Sequence, residues 1–163
     1  MNFLKNIMFV LLGLSSVFAC SAQQTEEQEK MSTFKIDKSE EEWRQELTPE
    51  QFYVLRQKGT ERPGTGEYDL HFEDGIYKCS GCNADLFESD SKFDAHCGWP
   101  SFDKAIGDST VVEKKDYSHG MVRTEILCAN CGGHLGHVFN DGPTETGMRY
   151  CINSVSLDFD KEE

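Results

Sequence analysis

Cys79-Ser80-Gly81-Cys82 and Cys128-Ala129-Asn130-Cys131 are two C-x-x-C pairs in one chain of 163 residues. Two residues between cysteines let both sulfurs face one point of a tight turn, and two such turns together can present four thiolates tetrahedrally to Zn²⁺. Asn83 and Gly132 follow the second cysteine of each pair, and both residue types accept the left-handed backbone that such a knuckle needs. A closed four-sulfur site has no open coordination position, so one zinc here would be structural and would staple two distant hairpins. The same residues also allow two disulfides, or one redox-active C-x-x-C, in an oxidising compartment.

The chain holds seven cysteines, an odd number, and the remaining three are Cys20, Cys97 and Cys151. Cys151 sits in Met148 to Leu157, MRYCINSVSL. As a strand this stretch puts Arg149, Cys151 and Asn153 on one face. A cation beside a thiol favours the nucleophilic thiolate, whereas a lone cysteine is also a small packed hydrophobe; the stretch alone leaves both readings open. Its alternation slips between Asn153 and Ser154, which predicts a β-bulge there. Cys97 lies in HCGWPSF, where Trp99, set between Gly98 and Pro100, can serve as core or offer its ring as a wall for a methyl or thioether group. Two histidines three apart, His134 and His137 in CGGHLGHVFNDG, suit proton transfer or zinc ligation. Four cysteines already complete a tetrahedron, which favours proton transfer. His71, His96 and His119 read as surface histidines.

The elements that position these groups follow. Residues 1–19, MNFLKNIMFVLLGLSSVFA, read as a secretory leader. Val17-Phe18-Ala19-Cys20-Ser21 resembles the lipobox of bacterial lipoproteins, which implies a diacylated Cys20 and an exported, membrane-anchored protein facing the periplasm or cell exterior. Residues 20–37 read as an acidic tether and 38–163 as one globular domain. Two short N-terminal helices are expected, one carrying Trp43 and Leu47, the next opened by Thr48-Pro49-Glu50-Gln51 as a capping box with proline at its first position and closed at Gly59. From Tyr68 onward, short Val-, Ile-, Tyr- and Phe-rich segments broken by Asp-Gly turns predict antiparallel β structure. With 29 acidic and 16 basic residues the net charge is −13, which argues against nucleic acid or an anionic membrane surface as a partner. Small or neutral substrates fit it better, membrane association is expected through the lipid alone, and the protein is expected to be a monomer.

CGWPSF, SHGM, the paired C-x-x-C, HLGHVFNDGP and RYCINS, in this order, resemble the methionine-R-sulfoxide reductases, the MsrB family, over about Glu41 to Phe159. The resemblance implies a mainly β fold of two small antiparallel sheets, a zinc-stapled β-tent, and reduction of methionine R-sulfoxide, free or in oxidised proteins, to methionine. It makes Cys151 the nucleophile, Cys97 the resolving cysteine that takes the Cys151 sulfenic acid to a disulfide, and Cys79, Cys82, Cys128 and Cys131 the zinc ligands. Trp99, His134, His137, Asp141, Arg149 and Asn153 fall on its substrate pocket, with a protonated His137, then His134, as proton donor. A thioredoxin-like dithiol resets the enzyme. Two other functions stand beside it: a non-catalytic zinc-ribbon-like protein-binding module, and a general thiol-disulfide oxidoreductase.

Overall fold

A computed structural model describes residues 34–162; the leader, Cys20 and most of the proposed tether lie outside the described residues. The last tether residues are already attached to the domain, since Ile36 N–H donates to Asn130 O at 2.9 Å and its side chain packs against the core. Among the described residues no helix is long and apolar enough to cross a membrane.

Both helices begin as capping boxes. In α1, Glu40–Glu46, Ser39 caps the N–H of Glu42 while the Glu42 side chain returns to Ser39, a pairing that satisfies two of the helix's orphan donors. In α2, Pro49–Gln57, Thr48 and Gln51 form the expected box with proline in the first turn. Trp43 of α1 and Phe52, Val54 and Leu55 of α2 are buried. The stop of α2 differs from expectation. Lys58, not Gly59, takes the left-handed position, with φ 58°, and Gly59 is needed for space, because a Cβ there would lie 2.2 Å from the Tyr53 ring.

Among the described residues nine strands follow in two antiparallel sheets. β1 (Gly75–Cys79) and β2 (Asp85–Glu88) make a hairpin in the first sheet. β3 (Lys92–Phe93), β4 (Ser101–Phe102), β5 (Val111–Asp116), β6 (Arg123–Cys128), β7 (His134–Phe139) and β8 (Arg149–Ile152) form the second, in the order β3-β4-β8-β7-β6-β5. β9 (Leu157–Lys161) then returns to the first sheet and pairs with β1. The slip in alternation after Cys151 therefore has a different cause from the expected bulge. β8 ends at Ile152, a single 3-10 turn spans Ser154–Ser156, and the chain changes sheets there, so the two halves of MRYCINSVSL obey different facings. Register irregularities do occur, between Tyr77 and Lys78 and between Ile126 and Leu127.

Between the elements lies an aromatic and aliphatic core in which Phe102 stacks on Phe87 at 4.4 Å and meets Tyr77 edge-on at 5.0 Å. His71, read as a surface residue, joins this layer: its Nδ1 lies 2.9 Å from the Tyr77 hydroxyl and its ring 4.4 Å from Phe159. In the centre of the second sheet β7 approaches β8 so closely at Gly136 that a Cβ there would sit 2.1 Å from the Cys151 carbonyl oxygen. Gly136→Ala must push the strands apart beside Cys151. It is expected to lower stability by about 1–3 kcal/mol, the usual penalty of overpacking, read as a lower denaturant midpoint at unchanged m value.

Candidate functional site

Two clusters of side chains stand out. At the first, the four knuckle cysteines come together from the β1–β2 and β6–β7 turns, and their Sγ atoms all lie within 4.8 Å of one another. Cys79 to Cys131 is 3.8 Å and Cys82 to Cys128 is 3.6 Å. A tetrahedron with metal–sulfur bonds of about 2.3 Å has edges of roughly 3.8 Å, so the donor set fits a Zn²⁺ ion. Asn83 and Gly132 take the left-handed conformation at φ 60° and 71°, as the knuckle turns require. Asn130 Nδ2 donates to Cys82 Sγ at 3.4 Å, an outer-shell bond of the kind that steadies a metal thiolate. The histidines are not in this cluster: among the described residues, the four cysteines alone form a metal-competent group.

The second cluster surrounds Cys151 on β8. Its strand neighbours are Ser101 of β4 on one side and His137 of β7 on the other. Pairing of β4 brings the preceding loop back over Cys151, and Cys97 Sγ lies 3.8 Å from Cys151 Sγ, close enough for a small shift to form a bond of about 2.05 Å. Gly98 makes this approach possible, with φ 87° and no room for a Cβ against Pro63 and Gly64. The pocket at Cys151 has a volume of about 120 Å³ and is lined by Thr60, Trp99, Arg123, Gly136, His137, Phe139, Cys151 and Asn153. A cavity of about 150 Å³ admits benzene, so this pocket takes the end of a side chain rather than a large cofactor.

Burial sets the electrostatics. It pushes the Cys151 thiol up to about 12; Cys97 adds to the rise and Arg149 opposes it. Arg149 favours the thiolate, as its place in the stretch suggests, but desolvation outweighs the cation. Arg149 spends its fork on Asp141, through bonds of 2.8 and 2.9 Å, and lies 4.5 Å over the Phe139 ring. That pairing holds Asp141 below the usual carboxylate range, and Asp141 sits on the exposed rim rather than in the pocket. Burial also lowers His137, against the pull of Asp116 2.9 Å from Nε2. Asp116 itself is driven far down by the Ser118 N–H and hydroxyl, His137 and Arg123.

His134 is buried and turns from the pocket, its Nδ1 2.8 Å from Glu125, which also takes Lys58 Nζ at 2.7 Å. Its ring meets that of His137 edge-on at 5.5 Å, so it supports His137 from behind. Asn153 engages both ends with main chain, accepting from Glu61 N–H and donating to Leu135 O, and Trp99 Nε1–H donates to Glu61 O at 3.3 Å. Sequence reasoning missed Thr60, Glu61, Asp116, Arg123 and Glu125. No spacing marks them; Asp116 and Arg123 flank SHGM and meet only because β5 and β6 pair.

The buried thiol predicts a labelling profile. In the reduced protein, iodoacetamide should modify Cys151 at a rate that climbs about tenfold per pH unit from pH 7 to 10, followed by peptide mass spectrometry. Arg149→Leu should slow it further at each pH; a plateau by pH 8 would contradict the effect of burial.

A family model described as SelR domain matches residues 47–161. Proteins named peptide methionine sulfoxide reductase MsrB are similar over most of the chain. That of Chromohalobacter salexigens is 61% identical over 126 residues, covering 77% of this chain and 95% of its own. That of Agrobacterium fabrum is 58% identical over 126 residues, covering 77% and 93%, and that of Leptospira interrogans 57% over 129 residues, covering 79% and 98%.

Proposed function

The chain belongs to the peptide methionine sulfoxide reductase MsrB family, oxidoreductases that reduce methionine sulfoxide, and from that premise we propose how its residues carry the reaction. The observation that carries the reading is the pair of thiols 3.8 Å apart at a pocket of side-chain size beside Trp99 and His137. The S-methyl group rests on Trp99. Cys151 sulfur attacks the sulfoxide sulfur, and the sulfoxide oxygen needs a proton as its bond to sulfur breaks. His137, held low by burial, is neutral near pH 7 and so acts first as base rather than as the protonated donor expected from sequence. With Nε2–H assigned to Asp116, its other nitrogen is free to take the Cys151 proton and pass it to the oxygen. The net step converts Cys151–SH and methionine sulfoxide into Cys151–SOH and methionine.

Cys97–SH then condenses with the sulfenic acid, forming the Cys97–Cys151 disulfide and releasing water. A thioredoxin-like dithiol exchanges with that disulfide, returning both thiols and leaving oxidised itself. Zn²⁺ on Cys79, Cys82, Cys128 and Cys131 supplies structure only. The R preference rests on family membership. A leader in residues 1–19 and a lipid on Cys20 would put the enzyme outside the cytoplasm, with oxidised exported proteins within its reach.

An assay of both epimers of methionine sulfoxide tests the reading. Cys151→Ser should abolish turnover, and activity in that variant would overturn it in favour of a binding module. Cys97→Ser should release one methionine per chain yet fail to recycle with the dithiol protein, dithiothreitol restoring part of the rate. His137→Asn should cost about 10²- to 10⁴-fold in kcat. The wild-type rate should fall on acidification only below pH 6.5, the ordinary histidine value, because protonation removes the base and burial has lowered its pKa. Stoichiometric zinc in the purified protein, lost in Cys128→Ser together with thermal stability, would exclude a redox role for the knuckles.

A further inference from the structure

The loop that follows α2 takes no part in the steps above, yet it touches the pocket, the Cys97–Trp99 loop and the turn that ends the Cys151 strand. Thr60 lines the pocket. Glu61 is 7% exposed and uses every polar group it has. Its N–H donates to Asn153 Oδ1 at 3.1 Å and its carbonyl accepts the Trp99 indole N–H at 3.3 Å. Its carboxylate accepts two consecutive main-chain donors just past the nucleophile strand, Ser154 N–H on Oε1 at 2.6 Å and Val155 N–H on Oε2 at 2.9 Å. Three residues on, Gly64 N–H donates to Gly98 O at 2.7 Å, next to Cys97. A carboxylate is costly to bury, and desolvation pushes the Glu61 carboxyl up while the two amides pull it back. Both oxygens are therefore required as acceptors, and an amide side chain would set one N–H against another.

We propose that Glu61 is a positioning residue of the reductase, whose carboxylate and main chain lock the Trp99 wall and the Cys97 loop onto the turn that ends the Cys151 strand. One side chain thereby sets both the grip on the substrate's methyl group and the distance from Cys97 to Cys151. The proposal rests on the reductase reading of the site. Proton transfer is less exposed to it, because Cys151 and His137 are paired directly across β7 and β8. Loss of the clamp should thus divide the kinetic steps, where general loosening of the fold would slow them together.

The test is Glu61→Gln, assayed beside wild type on a peptide containing methionine R-sulfoxide, with KM, single-turnover methionine release at saturating substrate, and disulfide formation measured separately. KM should rise and the disulfide step should slow, each by about 10- to 100-fold, the range for a lost bond to a buried charge. Methionine release at saturation should change by less, with zinc content and far-UV circular dichroism retained. Equal loss in all steps, or KM and disulfide formation within about twofold of wild type, overturns the proposal. If Glu61→Gln does not fold, Glu61→Asp, which keeps the charge but is one methylene too short for both amides, is judged by the same criteria. A wild-type protein inactive on the sulfoxide would instead remove the reductase reading, a failure distinct from that of the clamp.

Discussion

The two sheets are joined where four sulfurs crowd into a space of 4.8 Å. Cys79 ends β1 of the three-stranded sheet and Cys128 ends β6 of the six-stranded one, so the cluster fixes one sheet against the other at a point remote in sequence. Without a central ion, four thiols at such spacing would face one another with few good hydrogen bonds. A structural zinc in small domains contributes on the order of 10–16 kcal/mol of apparent binding energy, comparable to the roughly 5–15 kcal/mol by which a whole domain is stable. An ion held by these four cysteines would staple the two sheets with that energy, away from the pocket at Cys151.

Desolvation then determines the resting chemistry. The same burial raises the Cys151 thiol and lowers the His137 imidazole, because in each case the charged form loses most on leaving water. Both groups are neutral near pH 7, and in the mechanism proposed above the proton moves when a polar S–O group enters beside them. Arg149, neutralised by Asp141, moderates the thiol without ionising it. Asp116 and Glu125 hold His137 and His134 from opposite sides, so the histidine pair has fixed ring planes before any substrate arrives.

Where local rules suffice, the chain was readable. The capping box at Thr48 and the knuckle turns at Asn83 and Gly132 each depend on neighbours a few residues away, and the structure carries them; the strand reading holds for Arg149 and Cys151, while Asn153 falls just past the end of β8. The reading of Ser154 as part of a bulge failed because alternation reports a change of facing without its cause, here a transfer between sheets. Gly59 was assigned to a helix stop because glycine commonly serves there, while the reason for it is the Tyr53 ring. His137 is ranked ahead of His134 from sequence, but their spacing of three residues does not separate them; the pairing of β6 with β7, with its register shift between Ile126 and Leu127, gives His134 to Glu125 and leaves His137 at the pocket.

By itself the sequence determined the candidates: which four cysteines have the spacing to share a metal, that Cys97 and Cys151 are left over in the β region, and which aromatic and imidazole groups stand near them in the chain, since these follow from side-chain chemistry and short spacing. Only the tertiary structure decided the state in which they wait. The thiol's protonation, the 3.8 Å between Cys97 and Cys151, the partners of each histidine and the grip of Glu61 on Ser154 and Val155 join residues tens of positions apart. Burial and long-range pairing, which no local pattern encodes, set all of them.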